Sequence, residues 1–301
     1  MITKGSHLKP DFWGIGGTRC GSTWLHAQLS KHPHVWLPPI KELHYFDRSP
    51  HYHSPSYLSD AGLIRFLISL DSQQRARRRR LARALAASIA KFRVDDAFWN
   101  SKYFLGPSTD DWYRSLFPDD ASLACGDITP AYSILDEEDV ARAYAVNPDA
   151  KVIFIMRDPV ERSWSSSKDV STLSEAEHLE RVLSFNHQVR SDYVRTLKIW
   201  EKQFPAEQIY IAFFDDIVGR PAWLLDEVCG FLGIDPPSES LRESLKARVN
   251  ATPESVEMPL PVRQALAHSM LPSLRVLADR FGGHPKHWLE KAEDCLLETD
   301  K

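Results

Sequence analysis

Three short segments hold the residue types needed to grip an anion and move a proton. The first, GGTRCGST at Gly16 to Thr23, lies between the apolar run Phe12 to Ile15 and an amphipathic stretch, Ser22 to Ser30. A glycine-rich turn between a strand and a helix aims backbone N–H groups at an anion, and the helix amino terminus adds partial positive charge. Against the phosphate-loop pattern GxxxxGK[ST], Ser22 stands where the lysine would follow Gly21, so the cation of the turn is Arg19. A plain tight turn with Ser22 as helix cap is the competing reading. In the second segment, KELHYFD at Lys41 to Asp47, four polar side chains sit among apolar ones and must reach water or one another. Glu42 has the chemistry of a general base toward an acceptor hydroxyl. The third, KVIFIMRDPVERSWSSSKD, is again a strand entering a helix. Arg157 at the strand end can hold a phosphate through two parallel hydrogen bonds, and Ser165 can add a hydroxyl donor. The bland role for Arg157 is a salt bridge closing the strand end, and Arg162 is expected to pair with Glu161 or Asp158.

These segments need a frame, and the spacing of apolar residues supplies one. Phe12 to Ile15, Leu123 to Cys125, Val152 to Met156 and Ile209 to Phe214 read as strands. Ser22 to Ser30, Glu137 to Ala145, Asp192 to Phe204 and Pro221 to Leu232 read as amphipathic helices, and Pro261 to Phe281 as a further helix before the Gly282-Gly283 break. The alternation implies an α/β fold, a three-layer α/β/α arrangement with a central parallel sheet and a P-loop-like phosphate-binding turn. Ligands of open α/β sheets gather at the carboxyl ends of strands, where Arg19 and Arg157 fall. No repeat or Gly/Ser linker divides the chain, so residues 1–301 read as one domain.

Taken together, the segments resemble the sulfotransferases that use 3′-phosphoadenosine 5′-phosphosulfate (PAPS), most nearly the heparan sulfate 3-O-sulfotransferase branch and its bacterial relatives. The likeness rests on GTRCGST at Gly17 to Thr23, KELHYFD at Lys41 to Asp47, TPAY at Thr129 to Tyr132, RDPVERSWS at Arg157 to Ser165 and FLGI at Phe231 to Ile234, in that order. It implies a transferase moving a sulfonate from PAPS to a hydroxyl or amine and releasing 3′,5′-adenosine bisphosphate. By the same resemblance Arg19, Cys20, Gly21, Ser22, Thr23 and Trp24 hold the 5′-phosphosulfate, while Arg157 and Ser165 hold the 3′-phosphate. Glu42 falls on the catalytic base, with Arg19 and His44 completing the catalytic set. Lys41, His44 and Asp47 face the acceptor, a carbohydrate or a lipid-linked glycan. Arginine at position 19 in place of the commoner lysine, and Tyr45 in place of phenylalanine, are the departures.

The alternative enzyme is a P-loop-type small-molecule kinase using ATP and magnesium, which would need a metal-holding acid at a strand end. Here VIFIM is followed by Arg157 before Asp158. A zinc site is a further alternative, since His32, His34, His44, His51 and His53 lie close in sequence. With no cysteine nearby, solvated histidines and no metal are the expectation.

Composition narrows the partners. The 301 residues are 43% apolar and 26% charged with net charge −4, a globular balance that makes no nucleic-acid-binding polycation. Four scattered cysteines form no CxxC pair, and MITKGSHLKP has no apolar leader core, so a cytoplasmic protein is expected. The apolar stretch LIRFLISL is short and broken by Arg65. One region breaks the strand–helix rhythm, a helical insertion at about 61–105 whose start is crowded by Arg75, Arg77, Arg78, Arg79, Arg80 and Arg83. Its Leu81, Leu85, Ile89 and Phe92 share one helical face and are expected to pack against the domain. The arginines from Arg75 to Arg83 are expected either to be solvated or to draw an anionic acceptor or lipid surface by peripheral contact.

Overall fold

All five residues of strand β1 (Phe12–Gly16) are buried. Such a continuous apolar run marks a strand covered on both faces, as in parallel sheets flanked by helices. The computed structural model describes residues 8–54, 58, 70, 72–168, 173–246 and 257–298. β1 lies at the centre of a five-stranded sheet with β2 (Val35–Trp36), β3 (Ala124–Ile128), β4 (Lys151–Met156) and β5 (Ile209–Phe213), in the order β2-β3-β1-β4-β5. Every neighbouring pair is parallel. The sequence reading found four of these strands. It missed β2, which is only two residues long and carries no periodicity to read.

The helices, in chain order, are α1 (Ser22–Leu29), α2 (Ser72–Ala90), α3 (Val94–Leu105), α4 (Asp110–Ser115), α5 (Glu137–Val146), α6 (Pro159–Ser167), α7 (Glu175–Leu183), α8 (Phe185–Gln188), α9 (Tyr193–Trp200), α10 (Phe214–Gly219), α11 (Pro221–Leu232), α12 (Glu239–Lys246), α13 (Leu260–Phe281) and α14 (Gly283–Leu297). The expected Asp192 to Phe204 helix stops at Trp200 and continues as turns. Gly282 and Gly283 do not end the fold. Both take positive φ, 58° and 44°, and join α13 to α14, a helix the sequence reading did not anticipate.

Trp13 organises the core beneath the crevice, meeting Phe46 and Phe204 edge-on at 6.1 and 5.8 Å. Tyr45 stacks on Tyr113 at 4.3 Å. Through Tyr45 and Phe46 the KELHYFD segment is thus built into the core.

The arginine-rich region corrects an expectation. Residues 61–69, including most of LIRFLISL, lie outside the described residues, and α2 with α3 forms the described part. The face of α2 that is buried carries Gln74, Arg77 and Ser88, whereas Ile89 and Phe92 are 69% and 93% exposed. Leu81 and Leu85 are half-buried, so the anticipated apolar stripe is only half covered. Polar bonds join the two helices instead. Arg77 Nη2 donates to the Phe104 carbonyl and Asn100 Nδ2 to Ser88 Oγ.

Candidate active site

From β1 the chain runs to β2 at one edge of the sheet, whereas β3 leads across β1 to β4 on the other side. That reversal opens a crevice beyond the carboxyl ends of β1 and β4. The turn leaving β1 demands glycine at two points. Gly16 has φ 154° and a Cβ there would meet the Ile155 carbonyl at 2.7 Å; Gly21 has φ 102° and its Cβ would meet Ile217 Cδ1 at 2.3 Å. Gly21 is the N-cap of α1, no side chain caps the helix, and no acid lies in its first turn. Ser22 is therefore not the cap that the competing reading proposed. The helix end presents amide N–H groups and uncompensated partial positive charge to the crevice. Cys20, to which the resemblance gives a donor-binding role, is buried within the turn. Its N–H closes the turn onto the Gly17 carbonyl at 3.2 Å, and its buried thiol lies 3.4 Å from the Tyr193 hydroxyl, with burial pushing the thiol pKa up. Trp24 is half-buried against the core.

The KELHYFD segment folds onto this helix end. Lys41 Nζ donates to Glu42 Oε1 at 2.8 Å and to Thr23 Oγ1 at 3.1 Å, with Ser22 Oγ at 3.5 Å. An ammonium thus reaches the start of α1 from another segment, although position 22 holds no lysine. His44 is buried, its Nδ1 at 2.7 Å from Asp47 Oδ2 and its Nε2 at 3.4 Å from Glu42 Oε2. Ser54 Oγ donates to the same Asp47 oxygen. Arg19, Glu42 and His44 all adopt left-handed backbone, at φ 74°, 66° and 51°. Non-glycine residues in that region are uncommon and cluster where the fold over-determines a functional geometry.

The charges are coupled. Burial would raise the Glu42 pKa, but hydrogen bonds from His44 and Lys41 outweigh it and hold the carboxyl at about 2. Burial would lower His44, but Asp47 and Glu42 lift it to about 9. His44, with its folded pKa above 6.5, contributes stability that is fully present below pH 6.5 and is lost as pH rises through about 9. Glu42, held below 4.5, contributes stability present above pH 4.5 and lost as pH falls through about 2. In an NMR titration the His44 ring resonances should inflect near pH 9, and Asp47→Asn should move that inflection down by roughly one unit or more. An inflection at an ordinary imidazole value in the unmodified chain would show that the network does not hold the charge.

A buried carboxylate fixes the segment. Asp127, at the end of β3, accepts from Thr129 Oγ1 at 2.7 Å, Tyr132 OH at 2.7 Å and Tyr113 OH at 2.8 Å. The Tyr132 hydroxyl in turn accepts from the Tyr45 N–H at 3.0 Å, and Tyr103 OH of α3 donates to the Leu43 carbonyl at 2.8 Å. TPAY thus acts as a strut beneath the Glu42 loop. Sequence reasoning gave it no task, because Asp127 precedes it inside an ordinary strand.

At the end of β4, Arg157 Nη1 donates to the Arg19 carbonyl at 3.2 Å, and its guanidinium lies over the Phe214 ring at 4.4 Å. No carboxylate pairs with it among the described residues, so the salt-bridge role is not the one taken. Ser165 is half-buried on α6. Asp158 serves as the N-cap of α6, accepting from the Val160 and Glu161 N–H groups. Arg162 contradicts its expected pairing. It is fully buried and donates to Ser191 Oγ, Ser163 Oγ and the His187 carbonyl, with neither Glu161 nor Asp158 as partner. The reason is geometric, since its stem runs under the turn, 2.8 Å from where a Gly17 Cβ would be.

The structure adds neighbours that the sequence did not flag. Arg190 donates to the His53 carbonyl at 3.3 Å and lies in the field of Asp47, while its own carbonyl packs under Gly17. His26 of α1 has a buried Nε2 without a hydrogen-bond partner among the described residues, and burial together with Lys41 lowers its pKa. Periodicity alone could not have marked either residue. Of the five clustered histidines, His32 and His34 stay together and turn to Asp235, whereas His51 turns to Asp136 and His44 to Asp47. A cavity of about 400 Å³ lined by Asp158, Val160, Trp288 and Lys291 contains none of the residues of the crevice cluster.

The all-parallel five-stranded sheet flanked by helices is an α/β architecture with its crevice at the carboxyl ends of β1 and β4. A sulfotransferase family profile matches residues 10–238, and the chain belongs to that family, the PAPS-dependent transferases its motifs resemble. Human heparan sulfate glucosamine 3-O-sulfotransferase 6 is 32% identical over 138 residues, covering 41% of this chain and 39% of the relative. Mouse heparan sulfate glucosamine 3-O-sulfotransferase 3B1 is 30% identical over 155 residues, or 46% of this chain and 37% of the relative. The chain thus matches about two fifths of the length of these curated relatives. Among solved structures, a sulfotransferase from Alicyclobacillus acidocaldarius superimposes with a TM-score of 0.59 at 21% identity, covering 93% of this chain and 98% of the other. The sulfotransferase domain of the Synechococcus PCC 7002 olefin synthase gives 0.52 at 17% identity, covering 89% and 97%. These two likenesses concern the fold.

Proposed function

We propose that the chain is a single sulfotransferase domain, carrying the α2–α3 hairpin as an insertion, that moves a sulfonate from PAPS to an acceptor hydroxyl. The observation that carries this reading is Lys41, which ties the Glu42 carboxylate to the hydroxyls at the start of α1. Base and anion-binding helix end are thereby one ion pair apart. In the proposed reaction the P-loop-like turn holds the phosphosulfate on the N–H groups of Gly21, Ser22 and Thr23, with Arg19 and Lys41 as cations. Arg157 and Ser165 hold the 3′-phosphate and fix orientation. The acceptor oxygen attacks sulfur in line and forms the new S–O bond. The bond from sulfur to the bridging oxygen breaks, and its electron pair leaves on the nucleotide phosphate beside Arg19 and Lys41. The hydroxyl proton passes to Glu42.

A carboxyl held at about 2 is ionised throughout the neutral range but has little appetite for protons. It takes the proton late, after bonding to sulfur has made the hydroxyl strongly acidic. The cationic surroundings suit an anionic acceptor, and a glycan is the preferred class because the KELHYFD loop supplies several hydrogen-bonding side chains at the crevice. The exposed Arg75, Arg79, Arg80 and Arg83 add further basic surface on α2.

The test has two parts. Calorimetry should show 3′,5′-adenosine bisphosphate binding in the presence of EDTA, and an acceptor screen with PAPS should show acceptor-dependent release of that product. Absence of nucleotide binding, or transfer only from ATP with magnesium, would replace this reading with the kinase one.

A further inference from the structure

The α2–α3 hairpin packs on the domain through Trp99, Tyr103 and Phe104, with Leu81 and Ala84 of α2 against the same core. Polar groups are buried there as well, with Arg77 bonded to the Phe104 carbonyl and Asn100 to Ser88 across the two helices. The outer tip of the hairpin is apolar. Ile89, Phe92, Val94 and Phe98 are 69%, 93%, 77% and 76% exposed within ten residues of chain. Single exposed apolar residues need no explanation, but a contiguous cluster of large ones marks a surface that meets something other than water. The charge along α2 selects what that is. Along α2, Arg75, Arg79, Arg80 and Arg83 are exposed and the helix contains no acid; Lys91 and Arg93 flank the tip, opposed by Asp95 and by Asp96, which already pairs with Arg93.

We propose that this hairpin docks on an anionic lipid bilayer, with Phe92, Phe98 and their neighbours entering the headgroup boundary and the outer arginines meeting lipid phosphates. Basic residues beside an exposed aromatic and aliphatic edge are the combination that binds interfaces, where apolar burial and attraction to anionic lipid act together. A second copy of the hairpin would bring like charge to like charge, and a soluble polyanion would leave the four apolar side chains in water. No described helix is long and apolar enough to cross a bilayer, so the contact is with its surface. Tyr103 of α3 donates to the Leu43 carbonyl, so the docked hairpin would hold the crevice near the lipid. The inference stands independently of the acceptor proposed above.

Vesicle flotation tests it with the whole chain. Phosphatidylcholine vesicles containing phosphatidylglycerol should carry roughly ten times more protein than pure phosphatidylcholine ones, with the difference shrinking at high salt. Phe92→Ser with Phe98→Ser should reduce binding to the anionic vesicles about tenfold, and Arg79→Ser with Arg80→Ser and Arg83→Ser should do the same. Both sets lie on exposed surface, and unchanged 3′,5′-adenosine bisphosphate binding reports that the variants fold. The proposal is overturned if anionic vesicles leave the chain in solution, or if the phenylalanine variants bind as well as the parent. It is equally overturned if those variants abolish only self-association or only binding to a soluble sulfated polysaccharide.

Discussion

Replacing Glu42 by glutamine is expected to lower turnover roughly 100-fold or more while leaving 3′,5′-adenosine bisphosphate binding within a few-fold of the parent. The substitution keeps the shape of the side chain and removes its charge. Lys41 would exchange its ionic partner at 2.8 Å for a neutral amide oxygen and keep Thr23 Oγ1 at 3.1 Å, so the donor side of the crevice would retain its cation. His44 would keep Asp47 at 2.7 Å and lose only the longer contact to Glu42. Its pKa should therefore fall by less than in Asp47→Asn. Rapid-quench measurement of a single turnover separates chemistry from product release. Near-parental chemistry in Glu42→Gln would remove Glu42 from the mechanism.

The second large effect is expected at Arg157. With no carboxylate partner among the described residues, its guanidinium is held by the Arg19 carbonyl and the Phe214 face, which position it without neutralising it. Truncation to alanine should weaken 3′,5′-adenosine bisphosphate by about 2 to 3 kcal/mol, roughly 30- to 150-fold, the scale of a charge-assisted bidentate contact. Adenosine 5′-monophosphate, which lacks the 3′-phosphate, should lose much less. Ser165→Ala should follow the same pattern at about 1 to 2 kcal/mol. Equal losses for both nucleotides would assign Arg157 to support of the Arg19 turn instead.

What the sequence disclosed and what it hid divide along physical lines. β1 and β4 were legible because a doubly covered strand is continuously apolar, and the turn after β1 because it needs glycine. Lys41, Glu42, His44 and Asp47 were legible as polar groups in an apolar setting, and the structure does bring them together. Arg162 was misread because proximity in sequence suggested acids, whereas its position in α6 sends it beneath Gly17 toward Ser191. Asp127, Arg190 and His26 were invisible because their importance comes from tertiary neighbours. The stripe on α2 failed for a related reason, since helical periodicity gives a face but not whether a neighbouring helix covers it.

The three left-handed residues of the crevice have a consequence for how this chain tolerates change. An L-residue in that conformation costs about 1 kcal/mol or more relative to glycine, and Arg19, Glu42 and His44 each bear it. At these positions glycine would relax the backbone and remove the functional side chain in the same step. A library of variants sorted only for resistance to heat is therefore expected to drift toward glycine at 19, whose side chain is exposed, whereas glycine at 42 or 44 would break the Lys41–Glu42–His44–Asp47 network and is not expected to be selected. Thermal selection and retained activity have to be imposed together on this scaffold.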